Sequence, residues 1–138
     1  MASQWYPLGL LHAMKNEITG GLDNPTGGLK AALVESTYAY DATDEIIGDV
    51  SPIAAAGVAL TTVSLDNVAG VLKLTADGVT WESVPAGAAC NKIITYWESG
   101  VAGTRYLLCC DELAAPVTPD GNNINGTWGA DGIAKITT

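Results

Sequence analysis

Two apolar runs near the middle of the chain restrict its fold more than any other feature. Residues 92–98 and 104–111 are rich in β-branched, aromatic and aliphatic side chains, and a short glycine-containing loop joins them. This pattern predicts a β-hairpin. Both alternating sets are apolar, with Ile93 on one face and Ile94 on the other. Strands that are apolar on both faces lie inside a structure, so we expect a second sheet on one face and a helix, a long loop or another subunit on the other.

Short runs separated by turn residues fill most of the remaining chain. Further strands are predicted at residues 29–34, 58–65, 71–75, 79–84, 124–128 and 133–136, with a proline-containing loop at 113–121. Regular turn signals between short strands are typical of sandwiches and barrels. The sequence therefore predicts a mainly β chain that forms one antiparallel β-sandwich, or a partly open barrel.

Two segments have helical character. Residues 8–18 carry apolar side chains at a loose helical spacing and end at a glycine pair, which predicts a short helix or arm. Residues 41–48 begin with an N-capping aspartate and further acids, which predicts one short helix. We expect one domain over residues 1–138, with an N-terminal arm and glycine-rich loop at 1–28 and a β core at 29–138.

The charge balance excludes some partners. Fifteen acidic residues against six basic ones give a formal net charge of −9, which disfavours direct binding to nucleic acid. Charged residues make up only 15% of the chain and apolar residues 48%, which suits a protein whose surface is partly covered by neighbours. No apolar run approaches the roughly 20 residues of a membrane span, and the first residues do not resemble a secretion signal. We therefore expect no membrane partner.

No residue pattern indicates catalysis, a cofactor or a metal. His12 is the single histidine, and no nucleophile has the sequence context of a catalytic Ser or Cys. Cys109 and Cys110 are adjacent in a predicted strand, so their thiols point to opposite faces, and we interpret them as buried, reduced thiols made in a cytoplasm. Residues 120–126 weakly resemble a calcium loop, but a turn is the better interpretation because Ile124 occupies a ligand position.

The four tryptophans, in a chain without phenylalanine, leave two readings open. Exposed indole rings stack on sugars, which would suit a carbohydrate-binding module. Most of these tryptophans lie in predicted strands, where aromatic side chains fill cores or subunit interfaces, and we favour that interpretation. The tryptophans are Trp5, Trp81, Trp97 and Trp128.

Segments spread along the chain carry a family resemblance. They are residues 1–6 (MASQWY), 30–34 (KAALV), 38–40 (YAY), 49–50 (DV), 76–81 (ADGVTW), 94–96 (ITY), 99–100 (SG), 107–108 (LL), 111 (D), 116–121 (PVTPDG) and 127–128 (TW). In this order and spacing the chain resembles small virion structural proteins of tailed bacteriophages, described as head decoration or cement proteins. The glycine-rich loop at 20–28 is longer than in that family, and the adjacent cysteine pair is atypical of it.

The resemblance implies a non-enzymatic β-rich subunit, often a trimer, that binds the outside of an assembled capsid and stabilises it. The implied partner is the major capsid protein, and the implied location is the virion, after synthesis in the bacterial cytoplasm. A tail- or fibre-associated module that binds a receptor or carbohydrate is the alternative. The apolar arm and hairpin predict that the contacts with capsid or neighbouring subunits include Trp5, Tyr6, Leu10, Leu11 and Trp97.

Overall fold

The computed structural model describes residues 2–22, 25–128 and 132–137. Residue 1 and residues 23–24 of the predicted arm, and residues 129–131 and 138 of the predicted core, lie outside the described part. The elements are β1 (Ala2–Trp5), α1 (Pro7–Met14), β2 (Leu29–Glu35), β3 (Ile53–Ala59), β4 (Ser64–Val68), β5 (Val71–Thr75), β6 (Val79–Trp81), β7 (Cys90–Trp97), β8 (Leu107–Val117), β9 (Ile124–Gly126) and β10 (Ala134–Thr137). Two single turns of 3₁₀ helix lie at Ile47–Asp49 and Ala102–Thr104.

The strands form one large sheet and two small ones. The main sheet has the order β1-β8-β7-β2-β3, and each neighbouring pair is antiparallel. A three-stranded sheet has the order β10-β5-β4, and β6 pairs with β9. The predicted mainly β, antiparallel, sandwich-like fold is confirmed.

The predicted hairpin is β7 and β8 at the centre of the main sheet. Ile93 pairs with Asp111 and Thr95 with Cys109, and a register shift then pairs Tyr96 with Leu107. Near this shift the alternation of side chains is interrupted, so that the adjacent Leu108 and Cys109 enter one hydrophobic cluster, whereas Leu107 and Cys110 enter the other. The hairpin therefore contributes to a core on both faces of the sheet.

The first face of the main sheet packs against the smaller sheets. Its cluster contains Ile93 and Leu108 from the hairpin, Trp81 from β6 and Leu74 from β5. The indole N–H of Trp81 donates to the Ala31 carbonyl at 3.0 Å. This buried indole therefore has its polar atom satisfied within the sandwich.

The second face is covered by the chain's own irregular segment at residues 36–52. Tyr38 and Val50 of this segment are buried with Ile94 and Tyr96 of β7, and Tyr6 joins the same cluster. A long loop, one of the three covers predicted for this face, therefore closes it. The apolar hairpin is covered on both faces within one chain and does not by itself require another subunit.

The prediction of a helix at residues 41–48 is wrong. Asp41 caps no helix, because its Oδ1 accepts a hydrogen bond from the Thr43 N–H two residues on, which closes a turn. The backbone that follows is bonded to the hairpin, because Leu107 N–H donates to the Glu45 carbonyl and Ile47 N–H donates to the Arg105 carbonyl. Tertiary bonds thus replace the helical ones, and only the 3₁₀ turn at Ile47–Asp49 remains helical.

The predicted strand at 58–65 and the predicted loop at 113–121 differ from the observed elements. The strand predicted at 58–65 is divided into β3 and β4, because Thr62 has a positive φ of 56° that interrupts extended backbone. The loop predicted at 113–121 is strand as far as Val117, which pairs with Cys90 of β7. Pro116 is tolerated there because a register shift separates this pair from the regular ladder.

Candidate docking surface

Helix α1 lies directly on the central hairpin. Pro7 occupies its first turn, where a missing N–H is harmless. Gly9 faces β8 so closely that a Cβ atom there would come within 1.5 Å of the Leu107 carbonyl oxygen. The predicted short helix is confirmed, and its backbone lies in direct contact with β8.

An apolar groove runs between α1 and the three-stranded sheet. Its volume is about 500 Å³, and it is lined by Leu10, Ala13, Met14, Leu22, Leu65 and Leu72. We call it the α1 groove. The described residues that line it are all apolar, so it offers a surface for apolar groups.

The groove exists because the three-stranded sheet extends past the core. Leu65 and Leu74 are paired across β4 and β5, and Leu72 lies two residues from Leu74, so all three point to the inner face. Leu74 is fully buried in the first-face cluster, whereas Leu65 and Leu72 are only partly buried. The part of this inner face that extends beyond the core therefore remains open opposite α1.

Helix α1 also exposes apolar side chains beside the groove. Met14 is 78% exposed and Leu11 is 47% exposed. In the described part of the chain, only Ile53, Val68 and Val101 are other large apolar residues with comparable exposure. The concentration of exposed and half-exposed apolar groups on and beside α1 marks this surface as a candidate docking site.

The structure divides the five predicted contact residues. Leu10 lines the α1 groove, Leu11 is exposed beside it, and Trp5 is half-buried against the first-face core. The prediction is wrong for Tyr6, which is 0% exposed, and for Trp97, which is 7% exposed. These two rings fill the chain's own core, with the Tyr6 hydroxyl bonded to that of Tyr38 and the Trp97 indole N–H bonded to the Thr26 carbonyl.

Sequence reasoning missed the rest of the groove. Ala13 and Met14 follow Leu10 at spacings of three and four residues, so the stripe that predicts the helix could also have indicated one apolar face. Leu65 and Leu72 carry no such signal. Their partial exposure depends on where the small sheet ends relative to the core.

The polar side of α1 is tied to the loop that covers the second face. His12 stacks on Tyr106 with ring centroids 3.7 Å apart, and its Nε2 lies 2.6 Å from Glu45 Oε1. Its Nδ1 is hydrogen-bonded to Glu17, which also lies near Lys15. Partial burial lowers the pKa of His12, but the two carboxylates outweigh this effect and raise the pKa overall. The helix is thus fixed on one side and open on the other.

The buried ionisable groups lie in the core and not in the groove. Cys109 and Cys110 are buried free thiols in different clusters, as predicted, and burial raises the pKa of both, that of Cys110 to about 11. Burial also raises the pKa of Asp111 to about 8, although the Trp128 indole N–H donates to its Oδ2 and opposes the rise. Thiols and a carboxyl with such pKa values are largely protonated at neutral pH.

The described residues offer no cluster of metal ligands, and two of the four tryptophans have no open ring face. Residues 2–22, 25–128 and 132–137 contain no group of three or more His, Cys, Asp or Glu side chains placed to hold a metal ion. Trp81 and Trp97 are buried, and Trp5 and Trp128 are half-buried. Stacking on a sugar needs an open ring face, which the two buried rings do not offer.

Comparisons with known proteins return nothing for this chain. No family model, no curated protein and no solved structure matches it. Among the described helical segments, none has the length and apolar character needed to cross a membrane. The protein is thus a mainly β, antiparallel, sandwich-like fold, and the α1 groove is a candidate docking site on it.

Proposed function

We propose that the protein is a non-enzymatic virion structural protein of a tailed bacteriophage that binds the outside of the assembled capsid as a decoration protein. The observation that carries this proposal is the α1 groove with the exposed Met14 and Leu11 beside it. The family resemblance of the sequence supplies the class of partner, the major capsid protein. The groove supplies a surface where apolar side chains of that partner would bind.

The fixed position of α1 favours binding. Gly9 seats the helix on β8, and His12 holds its polar side to Glu17 and Glu45. A surface that is already ordered loses little conformational entropy when a partner binds. Because the assembled shell presents the partner's site many times, binding to the shell and not to dissociated subunits stabilises the shell by mass action.

Self-association as a trimer stays a prediction under this proposal. The second apolar face of the hairpin does not supply the contact, because residues 36–52 cover that face. A trimer would have to use another surface, or would form only where the capsid places three copies side by side.

Particle binding by surface variants tests the proposal. Met14→Lys places a charge beside the groove at a solvent-exposed position, so the fold should tolerate it, while a buried contact with the capsid would lose at least about tenfold in affinity. Val101→Lys is the matched control, because Val101 is an exposed apolar residue that is 61% exposed and does not line the groove.

Cryo-electron microscopy of particles with wild-type protein and each variant gives the readout. We expect density on the capsid exterior for wild type and Val101→Lys, and much weaker density for Met14→Lys. Density confined to the tail or fibres would overturn the proposal. Equal occupancy of all three proteins on the capsid would show that the α1 groove is not the contact.

A further inference from the structure

A second cavity lies beside β3, which is the edge strand of the main sheet on the side away from β1. It has a volume of about 320 Å³ and is bounded on one side by β3, from Ala54 to Val58, and on the other by Trp81, Val84 and Pro85. Glu82 is the charged residue that lines it. We call this cavity the β3 pocket.

The β3 pocket results from irregular pairing of β3. Val58 pairs with Ala31, Ala55 with Leu33 and Ile53 with Val34, so β3 has an extra residue at each of two register shifts. Bulges of this kind bend an edge strand and discourage another strand from pairing with it. The alanines of β3 leave a recess there, which suits a side chain better than an added strand.

The opposite wall is held in place by hydrogen bonds. Ser83 N–H donates to Asn123 Oδ1 at 2.8 Å, and Val84 N–H donates to the Asn122 carbonyl at 3.1 Å. Gly121 N–H in turn donates to the Val84 carbonyl at 2.8 Å. The wall that carries Glu82 is therefore ordered before any ligand arrives.

The chemistry of the pocket is apolar with one carboxylate. Glu82 is exposed, and it forms no ion pair within the part of the chain that the structure describes. Alanine, valine and proline side chains surround the space next to it. A long aliphatic stem that ends in a cation satisfies both features, since lysine and arginine lay their stems on apolar surface and keep the charge at a polar rim.

We propose that the β3 pocket binds a lysine or arginine side chain presented by a partner protein. Charge favours a different protein over a second copy of this chain, because two copies with a formal charge of −9 each repel one another, whereas a basic segment is attracted. The inference concerns a surface separate from the α1 groove and does not depend on the proposed function.

Small analogues of the side chain test the proposal on the intact protein. Nα-acetyl-lysine methylamide and Nα-acetyl-arginine methylamide are titrated into ¹⁵N-labelled protein, and amide shifts are followed by NMR. We expect saturable shifts at β3 and Glu82 with a Kd in the millimolar range, as a ligand of this size permits. Nα-acetyl-norleucine methylamide, which has a similar stem without the charge, should bind up to about fivefold more weakly.

Two variants separate the pocket from general attraction to an acidic protein. Glu82→Gln should weaken binding of the lysine analogue about fivefold. Glu112 is an exposed glutamate on β8, and Glu112→Gln should leave the affinity for the analogue unchanged. The proposal is overturned if the lysine analogue causes no saturable shifts at β3, if norleucine binds as well as lysine, or if the two variants weaken binding equally.

Discussion

The two faces of the main sheet are buried equally well by different means. Ile93 and Ile94 are neighbours on β7, both 0% exposed, and each belongs to a different cluster. Ile93 is covered by strands of the smaller sheets, whose backbone groups bond to one another. Ile94 is covered by residues 36–52, where the 3₁₀ turn at Ile47–Asp49 is the regular secondary structure. The contrast shows that an apolar strand does not determine what covers it.

The loop side is held by side-chain hydrogen bonds in addition to its backbone bonds to the hairpin. A loop has no continuous ladder to hold its position, and tyrosine hydroxyls help to do so here. The Tyr6 and Tyr38 hydroxyls are 2.7 Å apart, Tyr38 donates to Asp44 at 2.7 Å, and Tyr40 donates to the Trp5 carbonyl at 2.8 Å. The second face is therefore held by packing together with a hydrogen-bonded chain that reaches from the core to the surface.

Matched truncations on β7 give the largest expected effect. Ile93→Ala should lower the free energy of unfolding by about 4 kcal/mol and Ile94→Ala by about 2.5 kcal/mol, because a loop can relax into the space left and two sheets cannot. Urea denaturation of both variants measures the difference. Equal losses, or a larger loss for Ile94→Ala, would contradict the contrast between a rigid and a compliant cover.

The next largest effect on the free energy of unfolding is expected from Asp111, the buried carboxyl of the first face. Asp111 has a folded pKa of about 8, raised by burial from 3.8, so the unfolded chain releases this proton at lower pH than the folded one. The free energy of unfolding should therefore fall as pH rises from about 4 to about 8. Asp111→Asn removes this dependence and should be more stable than wild type by about 2 kcal/mol at pH 8.

Denaturation of wild type and variant from pH 4 to pH 9 checks this prediction. Glu112→Gln is the neighbouring control, because its exposed side chain should leave the slope of wild type in place. Parallel stability profiles for wild type and Asp111→Asn would mean that Asp111 titrates normally.

The tyrosine chain of the second face gives a smaller effect. Tyr6→Phe keeps the ring and removes the hydroxyl that meets Tyr38, which should cost about 1 kcal/mol. Hydrogen exchange should also become faster in residues 36–52, whereas exchange in β5 and β6 should not change. A uniform increase across the chain would argue that the hydroxyl serves the whole fold and not this cover.

The smallest effect concerns the link between α1 and the covering loop. Because Glu17 and Glu45 raise the folded pKa of His12 above 6.5, its contribution is complete below pH 6.5 and is lost as pH rises through the folded pKa. His12→Gln should thus lower stability by less than about 1 kcal/mol more at pH 5.5 than at pH 9, where only the stacking on Tyr106 is lost. An NMR titration that places the His12 pKa below 6.5 would contradict the sign.

Local pattern predicted the regular parts of this fold, and tertiary contacts decided the rest. The hairpin was predictable because both faces of β7 are apolar, and α1 because its apolar spacing ends at a glycine pair. The cover of the second face was not, since residues 36–52 mix aromatic and aliphatic side chains with acidic and hydroxyl ones in no regular pattern. Their helical signal at Asp41 was overridden when Glu45 and Ile47 bonded to the hairpin.

The docking surface was predictable only in part for a similar reason. Leu10 and Leu11 belong to an apolar arm that is evident in the sequence. The same apolar character also predicted Tyr6 as a contact residue, but the fold buries Tyr6. Apolar character indicates that a side chain leaves water. It does not distinguish the chain's own core from the surface of a partner.

The contact at Gly9 couples α1 mechanically to the central hairpin. Residues of β1 pair with β8 immediately before α1, Tyr6 N–H donates to the Leu108 carbonyl at 2.8 Å, and Gly9 then rests on the Leu107 backbone. A load applied to the α1 groove is therefore passed through backbone contacts to the longest strand of the main sheet. A flexible tether would absorb such a load, whereas this attachment transmits it to the most deeply buried part of the molecule.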